Sequence, residues 1–120
     1  MISLSEAARI SLEKLFCVSD KENKYVIYPF GEGGKILKGI LNYEYGVFET
    51  AIIDNGLAQK NSNIEKISYL KEHQDVIVLI SSNRLDLYNI IRQQLYENIS
   101  PERCVEVQHF TTFRLQTIAL

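Results

Sequence analysis

Cysteine, histidine and proline are scarce in this 120-residue chain, with two of each. Cys17 and Cys104 lie far apart and form no CxxC pair, which excludes a disulfide scaffold and leaves buried free thiols as the expectation. With His73 and His109 they make no pair at zinc-ligand spacing, so no metal site is expected. No apolar run approaches the ~20 residues of a membrane-spanning helix. Positive charge is not in excess either: 13 Lys and Arg face 15 Asp and Glu, for a net charge of −2. A nucleic-acid partner would demand a basic surface, and none is expected here. The first residues, MISLSEAARISLEKLF, lack a basic start and carry Glu6, Arg9, Glu13 and Lys14 where a signal peptide would be apolar. A cytoplasmic location is therefore expected. Catalytic signatures are missing as well. There is no GxSxG elbow, no HExxH pair and no DxD-type carboxylate pair, and the seven tyrosines lack the spacing of a base-stacking platform.

What is present is a hydrophobic share of 46%, enough for one globular core, and a distinctive turn. Residues 25 to 35 read YVIYPFGEGGK, an apolar run that stops at three glycines and passes into a helical pattern. Parallel α/β sheets leave their first strand for their first helix in this way, and hold nucleotide phosphates at that bend. Gly31 suits the tight turn. Gly33 suits close approach of a phosphate to the backbone, with the new helix's N–H groups pointing outward. Gly34 falls two residues before the position of a third fingerprint glycine, where Ile36 stands, so the motif is GxGG and close helix–strand packing is expected to suffer. Pro29 and Ile36 exclude a Walker A loop. Glu32 would compete with a phosphate at the helix N-terminus, and Lys35 would offset it as a point charge.

The rest of the chain supplies the remaining elements of such a sheet. Residues 3–16 predict an amphipathic helix, with Ser3 and Glu6 as a capping-box pair, and VSDKENK after it reads as a surface linker. Ile36, Leu37, Ile40 and Leu41 mark the helix after the glycine turn, and Gly46 its stop. ETAIIDN forms a second strand ending at Asp54, twenty-three residues beyond Gly31 and near the spacing of a ribose-binding acid. Asp54-Asn55-Gly56 is equally well explained as turn chemistry. Ile64 and Ile67 suit a short third strand, followed by one or two helical turns near Leu70. DVIVLIS over 75–81 is the clearest strand, apolar throughout as burial on both faces requires. Ser82 or Asn83 then caps a helix with Leu87, Tyr88, Ile91, Leu95 and Tyr96 on one side, or binds a ligand across the crevice. CVEVQHF over 104–110 is a fifth strand. His73, in a charged stretch, reads as solvated, and His109 as structural.

These residues predict a Rossmann-like α/β fold: three layers around a mostly parallel sheet of order 3-2-1-4-5, preceded by an N-terminal helix. The organisation expected is an N-terminal helix and linker over 1–23, the α/β domain over 24–110 and a C-terminal extension over 111–120. The run YVIYPFGEGGKILKGILN…ETAIIDNG, with DVIVLISSN and a helix after it, resembles a small Rossmann-like module that accompanies polysaccharide-biosynthesis enzymes. Such modules occur beside sugar O-acyltransferases, glycosyltransferases and FkbM-type methyltransferases. The resemblance spans about residues 24 to 110, carried by Gly31, Gly33, Gly34, Asp54, Ser81, Ser82 and Asn83.

The resemblance implies a nucleotide-type ligand: a nucleotide sugar, NAD(P) or S-adenosylmethionine. The phosphate would lie on residues 31 to 35, the ribose on Asp54 and the distal part on Ser82 and Asn83. No general base is evident, so a complete enzyme is not expected. The alternative is an interaction module of the same fold, forming a homodimer or docking onto a partner catalytic domain.

Overall fold

A computed structural model describes residues 3–82 and 85–107, without the side chain of Leu85. Four parallel strands form its sheet: β1 (Tyr25–Tyr28), β2 (Ala51–Ile52), β3 (Ile77–Ile80) and β4 (Cys104–Glu106), in the order β2-β1-β3-β4. The helices are α1 (Leu4–Val18), α2 (Glu32–Tyr43), the single turns α3 (Asn55–Ala58) and α4 (Tyr69–Glu72), and α5 (Leu85–Tyr96). A 3₁₀ turn over Pro101–Arg103 leads into β4.

The sheet is apolar on both faces because two separate clusters cover it. Along β1 the side chains alternate. Tyr25 and Ile27 join Ala8 and Leu12 of α1 and Leu37, Ile40 and Leu41 of α2, whereas Val26 and Tyr28 join Leu70 of α4 and Tyr88, Ile91 and Leu95 of α5. β3 divides in the same way, with Leu79 on the first face and Val78 and Ile80 on the second. Each such fully buried aliphatic side chain stabilises the fold by about 1.5–3 kcal/mol. Tyr25 is tolerated at the start of a buried strand because its hydroxyl donates to the Asp20 carbonyl at 2.7 Å and bonds the Ser19 hydroxyl at 2.6 Å. The α1 helix starts as its sequence predicts, the Ser3 hydroxyl accepting from the Glu6 amide at 3.1 Å.

Several elements depart from the expected pattern for local reasons. The third strand expected at 64–67 is reduced to one parallel bridge between Ile53 and Glu65. Its neighbours' backbone groups are spent elsewhere: the Ile64 amide on Asn61, the Ile67 amide on the Asn55 side chain, and the Lys66 carbonyl on Tyr69. The expected order survives with that strand as a bridge outside β2. Strand β1 ends at Tyr28, before a cis Tyr28–Pro29 peptide, two residues earlier than predicted. The Asn55-Gly56 bend is the start of α3. Leu87 and Tyr96, predicted on the buried side of α5, are exposed. Cys17 is exposed and Cys104 half-buried; burial pushes the Cys104 thiol up to about 11. Gly46, at φ 67°, marks the end of α2, and the Val47 amide folds back onto the Leu41 carbonyl. His109, the last part of the 104–110 strand and the 111–120 extension lie outside the described residues.

A polar network fixes the approach to β2. Lys38 of α2 bonds Glu49 and Asn42, and Asn42 donates to the Val47 carbonyl and to Glu49. Only 9% of the Glu49 side chain is exposed. Burial raises the Glu49 carboxyl, but the bonds from Lys38 and Asn42 together outweigh it and hold the group below its usual range. A depressed carboxylate contributes stability above its unfolded pKa, about 4.3, and loses it as pH falls through the folded value. Glu49→Gln is therefore expected to flatten the fall in stability below about pH 4.5, read from urea unfolding at a series of pH values. An unchanged slope would contradict the network.

Candidate functional site

The strand order reverses between β1 and β3. The connection from β1 leads to β2 on one side, while β3 lies on the other. In open parallel sheets the crevice beyond the carboxyl ends at such a reversal is where ligands settle. Here it is bordered by the glycine turn after β1 and by Ser81 and Ser82 after β3.

Gly31 is the N-cap of α2, and among the described residues no side chain hydrogen-bonds there as a cap. The first backbone amides of the helix thus face the carboxyl end of the sheet with the positive end of the helix dipole. Gly31, Glu32 and Lys35 are exposed, Gly33 is half-buried and Gly34 is buried. The three predicted glycines therefore have different roles. A Cβ on Gly31 would meet nothing within 4 Å, but a Cβ on Gly34 would stand 2.7 Å from the Pro29 carbonyl oxygen and 3.2 Å from the Ser81 hydroxyl. Close helix–strand packing, expected to be lost for want of a glycine at position 36, is supplied by Gly34.

Asp54 and Ser81 hold the turn from opposite sides. One Asp54 carboxylate oxygen accepts from the Phe30 amide at 3.0 Å, and the other caps α3 by accepting from the Leu57 amide at 3.0 Å. The Ser81 hydroxyl donates to the Pro29 carbonyl, while its amide donates to the Tyr28 carbonyl at 3.0 Å. Of the two expectations for Asp54, its bonds bear out the turn residue. Ser81, expected as the end of the 75–81 strand and one of the residues that carry the resemblance, is a loop tether. Neither tether was legible in the sequence, since both join residues far apart in the chain; an Asp three residues before Leu57 could have signalled the cap. Ser82, two residues beyond the end of β3, is buried. Asn83 lies outside the described residues. The structure thus brings Gly31, Gly33, Gly34, Lys35, Asp54 and Ser82 to the carboxyl end of the sheet.

Tyr28, at the end of β1, donates to Gln94 at 2.8 Å; burial and the Asp54 charge push its phenol up. A second depression, a groove of about 630 Å³, lies outside β2 and is lined by residues such as Glu65, Lys66, Tyr69 and His73. His73, predicted to be solvated, is half-buried, stacked on Tyr69 with ring centroids 3.8 Å apart and its Nδ1 2.8 Å from the Tyr69 carbonyl. Among the described residues no cluster of His, Cys, Asp or Glu could hold a metal ion, and no helix is long and apolar enough to cross a membrane. No protein-family model, curated protein or solved structure matches the chain.

Gly34→Ala is expected to lower stability by about 1–3 kcal/mol, because the Pro29 backbone cannot swing aside; the ~1 kcal/mol helix-propensity gain of alanine does not offset this. Gly31→Ala should cost less, about 0.5–1 kcal/mol, the difference between glycine and alanine at an N-cap. Equal effects in denaturant melts would remove the special role given to Gly34.

Proposed function

We propose that this chain is a Rossmann-like module that binds a nucleotide or nucleotide sugar through its phosphates, and that it is not by itself a complete enzyme. The observation that carries the reading is the coincidence of two features: an α2 N-terminus that has no side-chain cap among the described residues, and the reversal of strand order between β1 and β3. Backbone amides at residues 32 to 34 supply donors suited to phosphate oxygens, and Lys35 adds a nearby positive charge. Ser82 and Asn83 would hold the distal part of the ligand in this reading. The connection to polysaccharide biosynthesis, and a cytoplasmic site of action, rest on the sequence alone.

Calorimetric titration at low salt with a nucleotide sugar, NAD(P) and S-adenosylmethionine tests the reading. Heat from at least one is expected, and flat traces for all would sink it. Glu32 opposes an anion at the same helix end, so Glu32→Gln should tighten phosphate binding by about two- to fivefold, the equivalent of about 0.3–1 kcal/mol.

A second reading, an interaction module that dimerises or docks on a catalytic domain, is favoured by exposed apolar groups remote from the crevice. Tyr43, the last residue of α2, and Phe48, in the connection to β2, are 90% and 74% exposed. If they mediate self-association, the double substitution Tyr43→Ser and Phe48→Ser should halve the mass seen by light scattering. The same mass in both proteins would remove this surface from consideration.

A further inference from the structure

One peptide unit, joining Pro29 to Phe30, is held at both of its polar ends by side chains from two different neighbours. Its carbonyl accepts from Ser81, which follows β3, and its N–H donates to Asp54, which follows β2. Within the sheet such groups would be satisfied by strand partners. Here β1 has ended, and side chains replace the ladder. The pinned peptide immediately precedes Gly31, the N-cap of α2, so its orientation sets the direction in which the first helical amides point. Rotating it would break a bond to a carboxylate and a bond to a buried hydroxyl together.

We propose that Asp54 is a positioning residue, orienting the glycine turn through the Phe30 amide, and not the ribose ligand its place after β2 suggests. The proposal rests on the phosphate-binding reading of that turn. A positioning residue affects every phosphate ligand alike, because what it sets is the aim of the backbone donors. A ribose ligand affects only molecules that carry a ribose.

The test compares inorganic pyrophosphate, which has no ribose, with uridine diphosphate, on the wild-type chain and on Asp54→Ser. Serine keeps an N-cap oxygen for α3 but has no second oxygen for Phe30. The dissociation constants of both ligands are expected to rise by the same factor, about tenfold, as befits one lost charge-assisted hydrogen bond. Amide hydrogen exchange is expected to quicken at Phe30 by a similar factor and to stay unchanged at Leu57. Ser81→Ala, which frees the other end of the same peptide, should again weaken the two ligands equally. A selective loss for uridine diphosphate would overturn the proposal in favour of ribose recognition. Unchanged Phe30 exchange, or freed Phe30 with both affinities intact, would overturn it too. If neither ligand binds the wild-type chain, the binding reading itself fails, and the Phe30 exchange still reports whether Asp54 holds the turn.

Discussion

The contact on which the site depends is the close approach of the first turn of α2 to the backbone leaving β1. A side chain at position 34 would collide with the Pro29 carbonyl, so glycine there sets how near the helix can lie to the strand. That nearness lets Asp54 and Ser81, arriving from the two strands beside β1, reach the Pro29–Phe30 peptide. Helix, turn and both neighbouring strands are thus joined at the carboxyl end of the sheet. The helix N-terminus is held in place by its surroundings and, among the described residues, still carries no side-chain cap.

The remainder of the fold keeps this arrangement rigid. Strands β1 and β3 are central and covered on both faces, so each residue along them is committed to one of two cores. Helix α1 packs on the same face as α2, with Ala8 and Leu12 in the shared cluster, and a bidentate Arg9–Glu44 pair links the two helices at the surface. Such an exposed pair contributes little; the apolar packing decides the position of the helix. At the other end of α2, Lys38, Asn42 and Glu49 connect the helix to the entry of β2. The element that bears the candidate site is therefore braced along its whole length.

Much of this was legible in the chain because strong local patterns agree with the tertiary outcome. DVIVLIS could only be a strand buried on both faces, and Ser3 with Glu6 announced the start of α1. Elements failed where their backbone groups had competing partners. Ile64 and Ile67 look like strand residues, yet Asn61 and the Asn55 side chain take their amides and leave a single bridge. The buried stripe of α5 is narrower than its apolar pattern suggests: Tyr88, Ile91 and Leu95 are buried, while Leu87 and Tyr96 are exposed. At the site, the glycine turn and Asp54 were visible as residues, but the division of labour among the glycines was not.

Local sequence alone determined the four strands and the three long helices, the glycine turn as the exit from β1, and the absence of nucleophile and metal-ligand motifs. These follow from periodicity, from the backbone freedom of glycine and from which side chains exist at all. Only the tertiary structure decided that Gly34 is the glycine under steric pressure, that Ser81 is a tether, and that both oxygens of Asp54 are engaged by backbone amides. Each of those depends on atoms brought together from distant parts of the chain, and no local pattern encodes a distance between residues 29, 54 and 81.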